Sequence, residues 1–183
     1  MRQVFVNAGP LIALGKLNRL HLLVDLYEIV HIPRAVYREV VVEGTTRGLP
    51  DALPIRLFVE VRSLPILEAS QEALLAYSPA IVLDAGESEL LALAREFKDA
   101  LVLMDDADAR VEARRLGLAV KGTLGILVEA CRAGILSFPE TEVLILEIAA
   151  RPDIWISETL CRQVLQQLVQ DSGSSPAAIS SPR

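Results

Sequence analysis

A chain of 183 residues, 52% of them hydrophobic, is long enough for one domain with a substantial core and too short for two ordinary ones. A net charge of −6 and a pI near 5.0 exclude a protein that grips nucleic acid through a generally basic surface, so any such contact must be local. Mean hydropathy is +0.40 without an apolar run long enough to span a bilayer, which argues against a membrane protein and for a homo-oligomer or a tightly held partner.

The apolar stretch Val4 to Leu14 is broken by Asn7, Gly9 and Pro10 and is followed by no small-x-small cleavage site. It therefore reads as a buried strand at 3–6 leading into a helix, and not as a secretory segment. Leu11, Leu14 and Leu17 give that helix an apolar face, and a second short helix carries Leu20, Leu23, Val24 and Tyr27. Residues 28–32 read as a strand, after which Pro33 opens a helix to about Val42, ended by Gly44. Residues 44–56, with Gly44, Gly48, Pro50 and Pro54, are expected to form a loop, and the alternation over 57–62 predicts an edge strand. Helices follow at 68–77 and 85–97. The clearest βαβ unit is Ala100 to Met104 as strand, Asp106 to Leu116 as helix closed by Gly117, and Leu118 to Lys121 as strand. Thr123 is expected to cap the next helix, and two more helices at about 139–150 and 157–170 complete the chain before a Ser-, Pro- and Ala-rich tail, 171–183, that is expected to be disordered. Short strands separated by helices predict an α/β fold on a parallel sheet with right-handed crossovers.

Cys131 and Cys161 lie thirty residues apart without metal-type spacing and read as reduced thiols in a cytoplasmic protein. His21 and His31 read as structural or surface residues, and Trp155 as packing of the C-terminal extension. The best local basic strip is Arg110, Arg114 and Arg115 with Lys121, which a solvated helix face would also explain.

The chemistry-bearing candidates sit where strands give way to helices or on apolar helix faces. Asp105 and Asp106 follow a buried strand directly, at the edge where open α/β sheets bind ligands, although one of them also suits a helix cap. Asp84 and Glu87 have capping-box spacing, yet Leu91 and Ala94 at i+4 and i+7 turn Glu87 toward the buried face, whereas Glu89 is expected to face solvent. Glu39 sits on or beside an apolar stripe made by Ala35, Val36 and Val42, and Asn7 ends the first strand, where an Asx-turn is the plain alternative. Acids in such places are costly unless paired or bound to a cation, which suggests a hard-metal site. Gly-x-Ser-x-Gly, Walker and Gly-x-Gly-x-x-Gly motifs are missing from the sequence.

Four segments in register, strand-Asn7-Ala-Gly-Pro10, then Ile32-Pro33-x-x-Val-Tyr-x-Glu39, then Asp84-x-Gly-Glu87, then Leu-Met-Asp105-Asp106, with Val120-x-Gly122-Thr123-Leu-Gly125 after them, resemble the PIN-domain family. Within it the chain is most similar to a subgroup of predicted nucleic-acid-binding proteins related to VapC-type toxins. The resemblance covers about residues 3–136 and implies a PIN-like domain at 1–136, with 137–170 as a C-terminal helical extension. It implies a three-layer α/β/α sandwich with a parallel sheet of about five strands, and cleavage of single-stranded RNA dependent on Mg²⁺ or Mn²⁺. Asn7, Glu39, Glu87 and Asp106 fall on the family's four acidic places, with Asp106, Glu87 and Glu39 as metal ligands. Asp105, Asp108 and Thr123 are implied to be auxiliary, and an antitoxin protein is an implied partner. Asn7 departs from the usual Asp, which removes one negative charge from the cage and leaves a weakened binding module as the alternative.

Overall fold

A computed structural model describes residues 2–173. Five short strands form one parallel sheet in the order β3-β2-β1-β4-β5: β1 (Val4–Val6), β2 (Val30–Pro33), β3 (Ile66–Leu67), β4 (Leu101–Leu103) and β5 (Ala119–Lys121). β1, β2 and β4 are buried on both faces, which is why they read as continuous apolar runs and not as alternating ones. In register, Val4 pairs with both Val30 and Leu101, so β1 is the middle strand.

The two faces of the sheet bury separate cores. Val4, Val6, Ile32, Leu101 and Leu103 pack under α1 (Ala8–Lys16), α2 (Leu22–Leu26) and α9 (Thr123–Arg132). Phe5, Val102 and Met104 pack under α7 (Ala85–Ala94) and α8 (Ala107–Arg115). His31 shares the second face, stacked on Phe5 at 5.0 Å and bonded through Nε2 to the Gln3 side chain at 2.6 Å. α10 (Phe138–Ala150) and α11 (Glu158–Gly173) add Leu144, Ile145, Ile148 and Cys161 to the first core. This is an α/β/α sandwich on a five-stranded parallel sheet, the parallel sheet as the sequence pattern predicts and the three layers as the family resemblance implies.

Several local expectations are corrected. The helix after Pro33 does not stop at Gly44: α3 (Arg34–Tyr37) passes into a π-helical segment (Arg38–Glu43) and on through α4 (Gly44–Thr46). Gly44 has ordinary right-handed helical angles, and a Cβ there would lie 3.1 Å from that of Ala52, so close packing and not a helix stop is what a glycine serves here. Residues 52–62, expected as loop and edge strand, form α5 (Ala52–Arg62). Ile55 and Val59 point inward while Leu57 and Val61 point outward, and two i,i+4 pairs from opposite helix faces interleave to imitate strand alternation. The edge strand is instead the two-residue β3, followed by α6 (Gln71–Ala76).

Ile154 is buried, but Trp155 is 95% exposed on the loop between α10 and α11 and does not pack the C-terminal helices. That loop is tied to α1 by Lys16, whose ammonium donates to the Asp153 carbonyl at 2.7 Å. Residues 171–173 continue α11, contrary to the expected tail, and the remainder of that expectation, 174–183, lies outside the described residues. Cys131 and Cys161 are unpaired thiols. Among the described residues no helix is long and apolar enough to cross a membrane.

Candidate active site

Strand order reverses at β1: the chain moves to β2 and β3 on one side and to β4 and β5 on the other. In open parallel sheets such a reversal opens a crevice beyond the carboxyl ends of the two strands that part. Asn7 leaves β1 at that edge, donating its backbone N–H to the Leu103 carbonyl at 2.9 Å, and Asp105 and Asp106 leave β4 beside it.

The two aspartates divide the work that the sequence left open between them. Asp106 caps α8, its Oδ1 accepting from the Ala109 N–H at 2.8 Å, and it is exposed to solvent. Asp105 turns inward. Its Oδ1 accepts from the Thr123 N–H at 2.7 Å and its Oδ2 from the Thr123 hydroxyl at 2.6 Å, so Thr123 is a clamp for Asp105 and Gly122, not Thr123, is the cap of α9. Small residues make the space: a Cβ at Gly122 would meet Asp105 Oδ1 at 2.8 Å, and one at Gly9 would meet Oδ2 at 3.3 Å. Burial raises the Asp105 pKa, against the Thr123 hydrogen bonds and the nearby Arg110 guanidinium.

α7 delivers Glu87. The capping box is present, with Asp84 Oδ1 accepting from the Glu87 N–H at 2.7 Å and Glu87 Oε2 accepting from the Asp84 N–H at 3.2 Å. Glu87 is buried nonetheless, and burial pushes its carboxyl up to about 7. The carboxylates of Asp84, Asp106 and Glu39 add to the rise, and the hydrogen bond from Asp84 opposes it. Glu39 comes from the π-helical segment, whose wider turn puts Val40 and Val41 inside and leaves Glu39 beside the apolar stripe, exposed as a residue. Its carboxyl is shielded enough to raise its pKa, with Asp84 and Glu43 contributing and Arg47 opposing. Gly86 lets the elements meet, since a Cβ there would touch Val36 Cγ2 at 3.1 Å, Asp84 Oδ1 at 3.4 Å and Glu39 Oε2 at 3.5 Å.

Asp84, Asp106 and Glu39 thus all act electrostatically on Glu87, although among the described residues no group of three or more carboxylate, imidazole or thiol side chains is placed to hold a metal ion. Asn7 is buried at the same edge, its Oδ1 without a hydrogen-bond partner and its side chain not capping α1. An orphaned hard oxygen and mutually repelling carboxylates are the kind of donors that suit Mg²⁺ or Mn²⁺. Asp108 is exposed in the first turn of α8.

Two further acids, Glu89 and Asp84, take parts that their sequence spacing does not predict. Glu89 is buried, its Oε2 accepting from the Ala35 N–H at 2.6 Å and its Oε1 from the Ala69 N–H at 3.0 Å. It lies about 200° around the helix from Glu87, and because α7 is covered on both sides by the sheet and by α3 and α6, neither side faces water. Asp84, whose spacing predicts only a cap, also acts on both Glu39 and Glu87. The basic strip is largely spoken for: Arg115 grips Glu112 through two hydrogen bonds of 2.7 Å, Lys121 pairs with Glu129, and Arg110 leans toward Gly122 and Asp105. Arg114 stays exposed.

Among solved structures the chain is similar to a PilT N-terminus domain protein from the hyperthermophilic archaeon Sulfolobus solfataricus P2, with 18% identity, covering 70% of this chain and 92% of that one, at a TM-score of 0.45. No curated protein sequence matches the chain. The sequence profile of the family DUF3368, described as a PIN domain, matches residues 3–170, a span that includes the candidate site, α10 and all but the last three residues of α11. On that match the chain belongs to the DUF3368 family of PIN domains.

Proposed function

We propose that this chain is a Mg²⁺- or Mn²⁺-dependent endoribonuclease acting on single-stranded RNA, the toxin member of a toxin–antitoxin pair of the VapC-related kind. What supports this reading is the electrostatic influence of Glu39 and Asp106 on the buried Glu87, the three coming from separate elements. Asp106, Glu87 and Glu39 would hold the ion, with the Asn7 amide oxygen as the fourth donor. A bound divalent ion would supply Lewis-acid polarisation of a phosphodiester and help activate water. The chain's own contributions are distinct. The α8 cap fixes the direction of Asp106, Thr123 holds Asp105 away from that role, and burial raises the Glu87 carboxyl to about 7, so that it is partly protonated near neutrality. Arg114 offers an exposed cation to the RNA backbone, with Arg110 nearer the site. Free thiols at Cys131 and Cys161 suit the cytoplasm.

The test is cleavage of single-stranded RNA with Mn²⁺ or Mg²⁺ by wild type and by Asp106→Asn. Asparagine also caps helices well, so the variant keeps α8 while removing the charge. Activity is expected to fall at least about 100-fold with unchanged circular dichroism. Equal activity in the two proteins sinks the site assignment.

A second reading, a binding module that holds RNA or a protein without turnover, is favoured by one observation: the buried donor at the first position is an uncharged amide and the carboxylates are not drawn into a closed cage. RNA binding without cleavage under any divalent ion would select it.

A further inference from the structure

We infer that the cleft at the amino ends of β1, β4 and β5 binds a small ligand that joins a phosphate to a flat ring, in the manner of a nucleoside monophosphate. The cleft has a volume of about 670 Å³, within the roughly 300–1,000 Å³ usual for small-ligand sites, and Arg2, Arg95, Asp99, Phe97, Leu116 and Leu118 line it. It lies at the opposite edge of the sheet from the candidate active site. Arg2 leads into β1, Asp99 into β4 and Leu118 into β5, whereas Asn7, Asp105 and Asp106 follow the carboxyl ends of β1 and β4.

Charge identifies one half of the ligand. In a chain of net charge −6, the cleft sets two guanidiniums against one carboxylate. Among the described residues neither Arg2 nor Arg95 has an ion-pair partner. Arg95 lies 5.6 Å from the centre of the Tyr77 ring, a contact that steadies the guanidinium without neutralising it. Arg2 feels Glu129, but Lys121 and the Tyr27 hydroxyl already occupy that carboxylate. Two uncommitted guanidiniums on one concavity repel a cation and match a phosphate, which each can grip through paired N–H groups. Asp99 has a left-handed backbone with φ 64°, a conformation that Asp and Asn tolerate better than most side chains. The wall identifies the other half. The Phe97 ring packs on Phe5 at 5.4 Å and on His31 at 6.1 Å between centroids, so it is fixed from within while half of it stays accessible to the cleft. Leu116 and Leu118, also half-buried, extend this apolar wall from the turn between α8 and β5. An aromatic and aliphatic wall beside free guanidiniums suits a base carrying its phosphate. A concavity of this size takes one such unit and not a stretch of RNA backbone.

The experiment is calorimetric titration of the full chain with the four ribonucleoside monophosphates, in EDTA so that no divalent ion takes part. At least one is expected to bind about tenfold or more tightly than both inorganic phosphate and its parent nucleoside. Arg2→Gln and Arg95→Gln, both at exposed positions, are each expected to weaken that binding about tenfold with unchanged circular dichroism, the loss of one charge-assisted contact. Asp99→Asn suits the same backbone angle while removing the opposing charge, and is expected to tighten binding about threefold. Asp106→Asn is expected to bind as wild type does, which separates this site from the candidate active site and makes the result independent of the ribonuclease reading. The inference is overturned if no monophosphate binds, if inorganic phosphate binds equally well, or if the arginine variants match wild type. An Asp99→Asn variant that binds no more tightly, or an Asp106→Asn variant that loses binding, overturns it too. So does a chain that binds a 5′-phosphorylated oligoribonucleotide and ignores the monophosphates.

Discussion

Glu87 is the residue whose surroundings have the most direct consequence for pH. Its folded-state pKa of about 7 lies above the ordinary 4.5, so the folded chain binds this proton more tightly than the unfolded chain. The resulting stability is fully present below about pH 4.5 and is lost as pH rises through about 7. Glu87→Gln keeps the capping-box geometry and removes the titration. In urea unfolding, wild type is expected to lose roughly 1–3 kcal/mol relative to Glu87→Gln between those two limits, and parallel pH profiles would refute the buried, mutually repelled carboxyl. Asn7 gives a second residue-scale expectation, under the proposed metal role. Asn7→Asp adds the missing charge to the cage and is expected to tighten Mn²⁺ binding in calorimetric titration, whereas equal or weaker binding removes position 7 from the ion's surroundings.

Glu89 shows how one side chain can hold elements together. By accepting from the N–H groups of Ala35 and Ala69 it joins α7 to the start of α3 and to the strand-exit segment after β3. Glu89→Ala strands both donors, and each stranded buried group costs about 1–3 kcal/mol. The expected result is a loss of at least about 2 kcal/mol with faster hydrogen exchange at both amides. Unchanged exchange at Ala35 and Ala69 would show that the tie is not made. Glu112 plays a similar part on α8: Arg115 holds its carboxyl below the usual range, and it accepts from the Tyr77 hydroxyl and the Ala80 N–H at 3.3 Å each. It thereby fastens the segment that leads into Asp84.

At the scale of the molecule, the strands β1, β2, β4 and β5 and the helices that bracket them were legible because buried parallel strands and their capped crossovers leave contiguous apolar runs and punctuating residues. α5 was not, because a helix with one row in the core and another in water mixes two periodicities, and β3 was too short for any pattern to register. Of the four positions expected for the candidate site, Asn7, Glu87 and Asp106 sit at element seams that the sequence marks, whereas Glu39 lies within a helix whose π-helical turn the sequence does not announce. The inner division of the site was hidden. Which aspartate caps and which is clamped by Thr123 depends on a contact eighteen residues away, and the inward turn of Glu89 depends on α3 and α6 covering α7. The loop between α10 and α11 offers a practical consequence. Its indole, the chain's single tryptophan, stands 95% exposed in the native fold. Native fluorescence should already be red-shifted, so denaturation will barely move the emission maximum, and a blue shift at Trp155 will instead report a molecule settling on that loop.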